Sequence, residues 1–168
     1  MYTRVYWIES FDSGAAVGIM PRPRGGDWLE DEIRKLKVDG VQVIVSLLER
    51  SEVQQLGLNN EEATCRKHQI EFINFSIVDR DVPSDQSATN DLVSVLKKNI
   101  LDGRKTVIHC RMGIGRSTII AGVILLEFEM SVEQIINKIR EIRKIEVPDT
   151  EEQTQWLRQQ EMLRKNAK

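Results

Sequence analysis

The chain has 168 residues, 24 basic and 26 acidic, for a net charge of −2; that is long enough for one self-sufficient core and offers no overall basic surface to a nucleic acid. Two cysteines (65 and 110) and two histidines (68 and 109) lack the spacing of a metal site, so neither a metal nor a cofactor is expected. The longest unbroken apolar run, Ile119–Leu126, is far shorter than the ~20 residues that span a bilayer, and Arg4, Glu9 and Asp12 interrupt the N-terminal stretch, so neither a membrane span nor a signal peptide is expected.

In chain order, runs with strand character fall at Val5–Ile8, Val17–Met20, Val41–Leu47, Ile70–Ile77 and Thr106–His109. Between the second and third, the basic, proline-stiffened turn Met20–Trp28 carries Arg22 and Arg24, candidates to attract an acidic or phosphorylated substrate. Asp27-Trp28-Leu29-Glu30 reads as a capping box opening a helix whose apolar face is Leu29, Ile33 and Leu36, closed by Asp39-Gly40. Asn60–His68 forms a shorter helix, with Cys65 in its core face. Gln86–Leu101 forms a longer one, stopped by Asp102-Gly103. An apolar helix follows from Arg116 to about Glu129, another from Ser131 to about Lys144, and Thr150-Glu151-Glu152-Gln153 caps the last. Strands alternating with helices, two of the strands apolar throughout, predict an α/β, three-layer domain with a mostly parallel central sheet of about five strands. One domain covering residues 1–168 is expected.

The stretch that names a chemistry is His109-Cys110-Arg111-Met112-Gly113-Ile114-Gly115-Arg116-Ser117. A cysteine ends a β-type run, and an arginine opens a helix after a five-residue loop containing two glycines. Backbone N–H groups of such a loop can turn inward at the positive end of the helix, which makes an anion cradle. The guanidinium of Arg116 matches a phosphate bidentately. Helix N-termini and neighbouring cations favour the thiolate form of a cysteine, the form that attacks.

This stretch resembles the Cys-x5-Arg-Ser/Thr signature loop of the protein tyrosine and dual-specificity phosphatases, especially their small single-domain members. The resemblance implies the protein-tyrosine-phosphatase-like fold and a cysteine-dependent hydrolysis of phosphotyrosine, with phosphoserine and phosphothreonine as further substrates, in phosphorylated proteins. It implies Cys110 as nucleophile, Arg116 as phosphate-binding cation, and Arg111, Met112, Gly113, Ile114 and Gly115 as the substrate-binding loop. Ser117 would donate its hydroxyl to the cysteine sulfur, or cap the helix, or both. The acid loop of the family matches Ile77–Pro83, where Asp79 lies thirty-one positions before Cys110; Asp79 is favoured as general acid, with Asp81 competing. His109 would hydrogen-bond into the loop, or be a plain buried strand histidine. Gln153 falls where the family places a water-orienting glutamine, yet a capping box accounts for it equally. Thr118 stands where family members often have glycine.

Two other readings stay open. One is a catalytically idle phosphate-binding module; the other is a sulfurtransferase- or arsenate-reductase-like cysteine enzyme. A reversible Cys65–Cys110 disulfide is conceivable. The expected setting is a reducing cytoplasm, with the chain a monomer that binds neither nucleic acid nor membrane. No lysine stands in the loop to meet extra phosphates, which argues against phosphoinositide substrates.

Overall fold

A computed structural model describes residues Met1–Lys168. Its strands are β1 (Tyr6–Ser10), β2 (Ala16–Pro21), β3 (Val41–Ser46), β4 (Glu71–Asn74) and β5 (Lys105–Cys110). Its helices are α1 (Leu29–Val38), α2 (Arg50–Gln55), α3 (Glu61–Lys67), α4 (Gln86–Leu101), α5 (Arg116–Leu126), α6 (Val132–Arg143) and α7 (Glu151–Asn166). The five strands form one sheet in the order β1-β2-β5-β3-β4, antiparallel at β1–β2 and parallel elsewhere. The mostly parallel three-layer architecture expected from the sequence is therefore present.

β5 lies in the middle, between β2 and β3, and it is buried on both faces, as a central parallel strand must be. Successive side chains point to opposite faces. Ile108 and Cys110 join the larger core, shared with α4, α5, α6 and α7. Val107 joins the smaller core beneath α1 and α3, which also contains Cys65. The two cysteines thus lie on opposite sides of the sheet, which removes the disulfide considered from the sequence. Every residue of α5 is buried, so this helix, which carries Arg116 at its start, is fixed on all sides.

Several local expectations are corrected. Asp27 does not open a capping box: a 3-10 turn, Gly26–Trp28, leads into α1 with no side-chain cap, and Glu30 instead reaches Lys67 and His68. β4 is shorter than the Ile70–Ile77 run; past Asn74 only the N–H groups of Phe75 and Ile77 still pair, with Ser46 and Leu47. α5 stops at Leu126, and Glu129 takes a left-handed conformation. The capping boxes at Ser131 and Thr150 form as expected. Helix α2 has no counterpart in the sequence reading.

Candidate active site

The loop after β5 returns to α5 within five residues; geometry requires glycine at 113, and at 115 a side chain would have to displace its neighbours. Gly113 has φ +66°, and a Cβ there would lie 2.5 Å from the Met20 backbone. A Cβ on Gly115 would lie 2.3 Å from Asp149 Oδ2 and 2.8 Å from Gln153 Oε1. Cys110 is buried at the base of this loop, with Ser117 Oγ 3.5 Å from its sulfur. Gly115, not Ser117, is the N-cap of α5. The hydroxyl therefore faces the sulfur and the capping alternative falls away.

Arg116 is 1% exposed, a guanidinium buried almost entirely in protein. Its Nη1 donates to Glu52 Oε2 (2.7 Å) and to the carbonyls of Ile77 (3.0 Å) and Leu47 (3.4 Å). Nη2 donates to Glu52 Oε1 (2.9 Å) and is ion-paired with Asp79 Oδ1 at 2.9 Å. Nε has no partner. The end of the guanidinium is thus occupied by Glu52, while the side formed by Nε and Nη2 meets only Asp79. Burial works against the charge on Arg116, but the Glu52 hydrogen bonds outweigh it, aided by Cys110 and Asp79, so its pKa is raised above the ordinary value.

Glu52 is the functional residue that sequence reasoning missed. Its carboxylate accepts from both Nη atoms of Arg116, from Arg111 Nε (3.3 Å) and from the Glu49 backbone N–H (3.0 Å). That fills about the four sites a carboxylate offers. Burial alone would raise its pKa, yet these hydrogen bonds, Arg116 foremost, hold it below the usual value. The available signal was Glu49-Arg50-Ser51-Glu52, whose ends have capping-box spacing just past β3.

The other sequence candidates divide. Arg111 turns outward to Glu52 and Gln55, Met112 is exposed, and Ile114 packs on the larger core. Asp81 bonds the N–H of the next residue, Val82 (2.8 Å), and its carbonyl accepts from Gln153 Nε2 (3.1 Å); its side chain does not meet Arg116. Gln153 is fully buried and committed: Oε1 accepts from the N–H groups of Asp149 and Thr150, and Nε2 ties down the acid loop. That is the capping-box use, extended to anchor the loop carrying Asp79. His109 does not reach the loop. It faces α3, where Nε2 lies 2.8 Å from Glu61 Oε1, because residues 109 and 110 alternate across the sheet. Arg24 is paired with Glu32 and stacked over Trp28 at 4.6 Å, so it is not free for substrate. Arg22 keeps its position beside the loop, its N–H bonded to the Arg111 carbonyl, and its side chain has no carboxylate partner.

A strand-loop-helix bearing a buried thiol and a buried arginine, on a mostly parallel sheet with an aspartate poised over that arginine, defines the protein tyrosine and dual-specificity phosphatase class. The family described as "Polymorphic toxin system, DSP-PTPase phosphatase" matches residues 17–129, more than half of the sequence, and the chain belongs to it. It is 28% identical over 120 residues to cyclin-dependent kinase inhibitor 3 of Rattus norvegicus, covering 68% of this chain and 55% of that protein. The chain thus spans about half the length of the curated relatives it matches. Among solved structures, it resembles kinase associated phosphatase with its catalytic-site cysteine changed to serine (TM-score 0.86, 23% identity, 99% of this chain and 97% of that one). It also resembles Tk-PTP in its active form (TM-score 0.74, 23% identity, 94% and 96%). These two likenesses establish the fold. No helix is long and apolar enough to cross a membrane.

Proposed function

We propose that this chain is a cysteine-dependent phosphatase that hydrolyses phosphotyrosine, and also phosphoserine and phosphothreonine, in phosphorylated proteins. The observation that carries the reading is the guanidinium of Arg116: Glu52 holds its end, which leaves the Nε–Nη2 side, next to Cys110 and Asp79, for a phosphoryl group.

Cys110 attacks phosphorus as the thiolate, forming a sulfur–phosphorus bond while the phosphorus–oxygen ester bond breaks. The side of Arg116 and the loop N–H groups take the equatorial oxygens, where negative charge is shared in the transition state. Asp79 gives its proton to the departing oxygen. A water then attacks phosphorus, passes its proton back to Asp79, and releases phosphate and the thiolate; the Ser117 hydroxyl stabilises the leaving sulfur. Asp79 pairs with the same side of Arg116 that takes the phosphoryl group, so an entering substrate displaces it toward the leaving-group position.

Relatives named for kinases support phosphorylated proteins as the substrate class. A nucleophilic thiol suits a reducing cytoplasm, and the chain acts as a single-domain monomer without nucleic-acid or membrane partners. The Asp79–Arg116 pair favours a phosphatase over a sulfurtransferase, which has no proton to supply to an alkoxide.

The test is Cys110→Ser, assayed with para-nitrophenyl phosphate and with phosphotyrosyl and phosphoseryl peptides, alongside sulfur transfer from thiosulfate. Turnover should fall to background while vanadate still binds. Substantial hydrolysis by the serine variant, or sulfur transfer by the parent, would overturn the reading.

A further inference from the structure

We propose that Arg143 is a positioning residue that sets the inward orientation of the loop N–H groups. Arg143 is the last residue of α6, some thirty positions beyond the loop, and lies outside every motif described above. Its Nε donates to the Gly113 carbonyl (3.2 Å) and its Nη2 to the Met112 carbonyl (3.1 Å). The Tyr6 ring of β1 supports the guanidinium, whose carbon lies 4.0 Å from the ring centroid. No carboxylate lies within ion-pair distance of Arg143; its guanidinium meets the two loop carbonyls and the Tyr6 ring.

The consequence follows from peptide geometry. In a planar trans peptide, the C=O and N–H point in opposite directions. The Met112 carbonyl shares its peptide with the Gly113 N–H, and the Gly113 carbonyl shares its peptide with the Ile114 N–H. Drawing both carbonyls to Arg143 turns both N–H groups away from it, toward the inner side of the loop. The left-handed backbone at Gly113 allows these two successive peptides to face the same way. A cation on the carbonyl side also polarises the peptides and strengthens the N–H groups as donors.

This inference rests on the phosphatase reading for its ligand, but its direct readout is oxyanion binding, which needs no turnover. The experiment uses the whole chain, with Arg143→Met, which keeps the apolar stem against Tyr6, and Arg143→Lys. Three quantities are measured: the affinity for orthophosphate, the backbone amide NMR shifts of Gly113 and Ile114 on adding it, and kcat and KM for para-nitrophenyl phosphate. The methionine variant should lose about tenfold in orthophosphate affinity, and the two amides should respond weakly. Its kcat/KM should fall roughly tenfold to a hundredfold, below the about 10²–10³ seen when one such donor is removed outright. An ammonium cannot reach two carbonyls as a fork does, so the lysine variant should fall between parent and methionine variant. If the methionine variant fails to fold, the lysine variant decides. Parental orthophosphate affinity and amide response in whichever variant folds would overturn the proposal. A parent that binds orthophosphate at these amides yet hydrolyses nothing would overturn the phosphatase reading alone, and one that binds no orthophosphate would overturn both.

Discussion

Glu52 and Asp79 both reach the guanidinium of Arg116, but from different kinds of structure. Glu52 stands on α2, is buried, and has its lone pairs filled by Arg116, Arg111 and the backbone. Asp79 stands on the loop after β4, has a side chain 52% exposed, and makes one ion pair. A carboxylate with all its acceptor sites used can orient a cation and do nothing else. A carboxylate with one contact to water-accessible surroundings can leave, take a proton and return it. On the proposed mechanism, burial separates holding from proton transfer, and the same functional group serves twice.

The sharpest way to break this comparison is to remove the ionisable group from the exposed partner. Asp79→Asn should lower kcat by about 10²–10⁴-fold on substrates with poor leaving groups and much less where the leaving group is already a stable anion. Because Asp79 competes for the Nε–Nη2 side, the same variant should bind vanadate at least as tightly as the parent. Asp81→Asn, whose carboxylate does not meet Arg116, should keep both rate and pH profile. Loss of activity in Asp81→Asn with Asp79→Asn near parental would move the acid by two residues.

Changing the shared cation tests whether one side can face Glu52 while another faces phosphate. Arg116→Lys keeps the charge but not the fork, so it cannot grip Glu52 as Nη1 and Nη2 do and still present a second edge, Nε with the other N–H of Nη2, to a phosphoryl group. A loss in kcat/KM on the order of 10²-fold is expected. Near-parental steady-state kinetics in the lysine variant would show that charge alone suffices and that the separation of sides has no consequence.

Much of this site was legible in the sequence, and the parts that were not share a physical cause. β5, its loop and α5 announce themselves because an apolar strand, two glycines and an apolar helix leave few alternatives at Cys110 and Arg116. Asp79 is indicated by the resemblance of Ile77–Pro83 to the family's acid loop, and distance from the cysteine alone does not separate it from Asp81. The facing of His109 could have been read from strand parity alone, since neighbours on a strand cannot both line one pocket. Glu52 was hidden because α2 is six residues long and has no apolar period to reveal it. Arg143 was hidden because its partners are backbone carbonyls, which carry no sequence signature.

The last expected effect is on stability rather than on rate, and it isolates the buried partner. The Glu52 carboxyl is held below its usual value of 4.5 in the folded chain. A depressed folded value means that the carboxylate's stabilisation is fully present above the unfolded value and is lost as pH falls through the folded one. The parent should therefore hold its stability from pH 7 to about 5 and lose it progressively below about 4.5. Glu52→Gln leaves Arg116 with Asp79 and two carbonyls as partners, and should cost about 3 kcal/mol at pH 7, the low end for breaking a buried pair. As the pH drops the parent loses the same carboxylate to protonation, so the gap between the two proteins should close. Part of the acid limb should survive in the variant, because Glu127, between Lys97 and Arg164, is depressed in the same direction at the far end of α5. Glu127→Gln should shrink that remaining part without touching phosphate binding, leaving the contribution of Glu30, whose carboxyl Lys67 and His68 also hold below its usual value. Urea denaturation at pH 7, 5, 4 and 3 measures the gap directly. A gap between parent and Glu52→Gln that is as wide at pH 3 as at pH 7 would mean that the lost stability comes from packing around α2, and that the carboxylate's charge is not what holds Arg116.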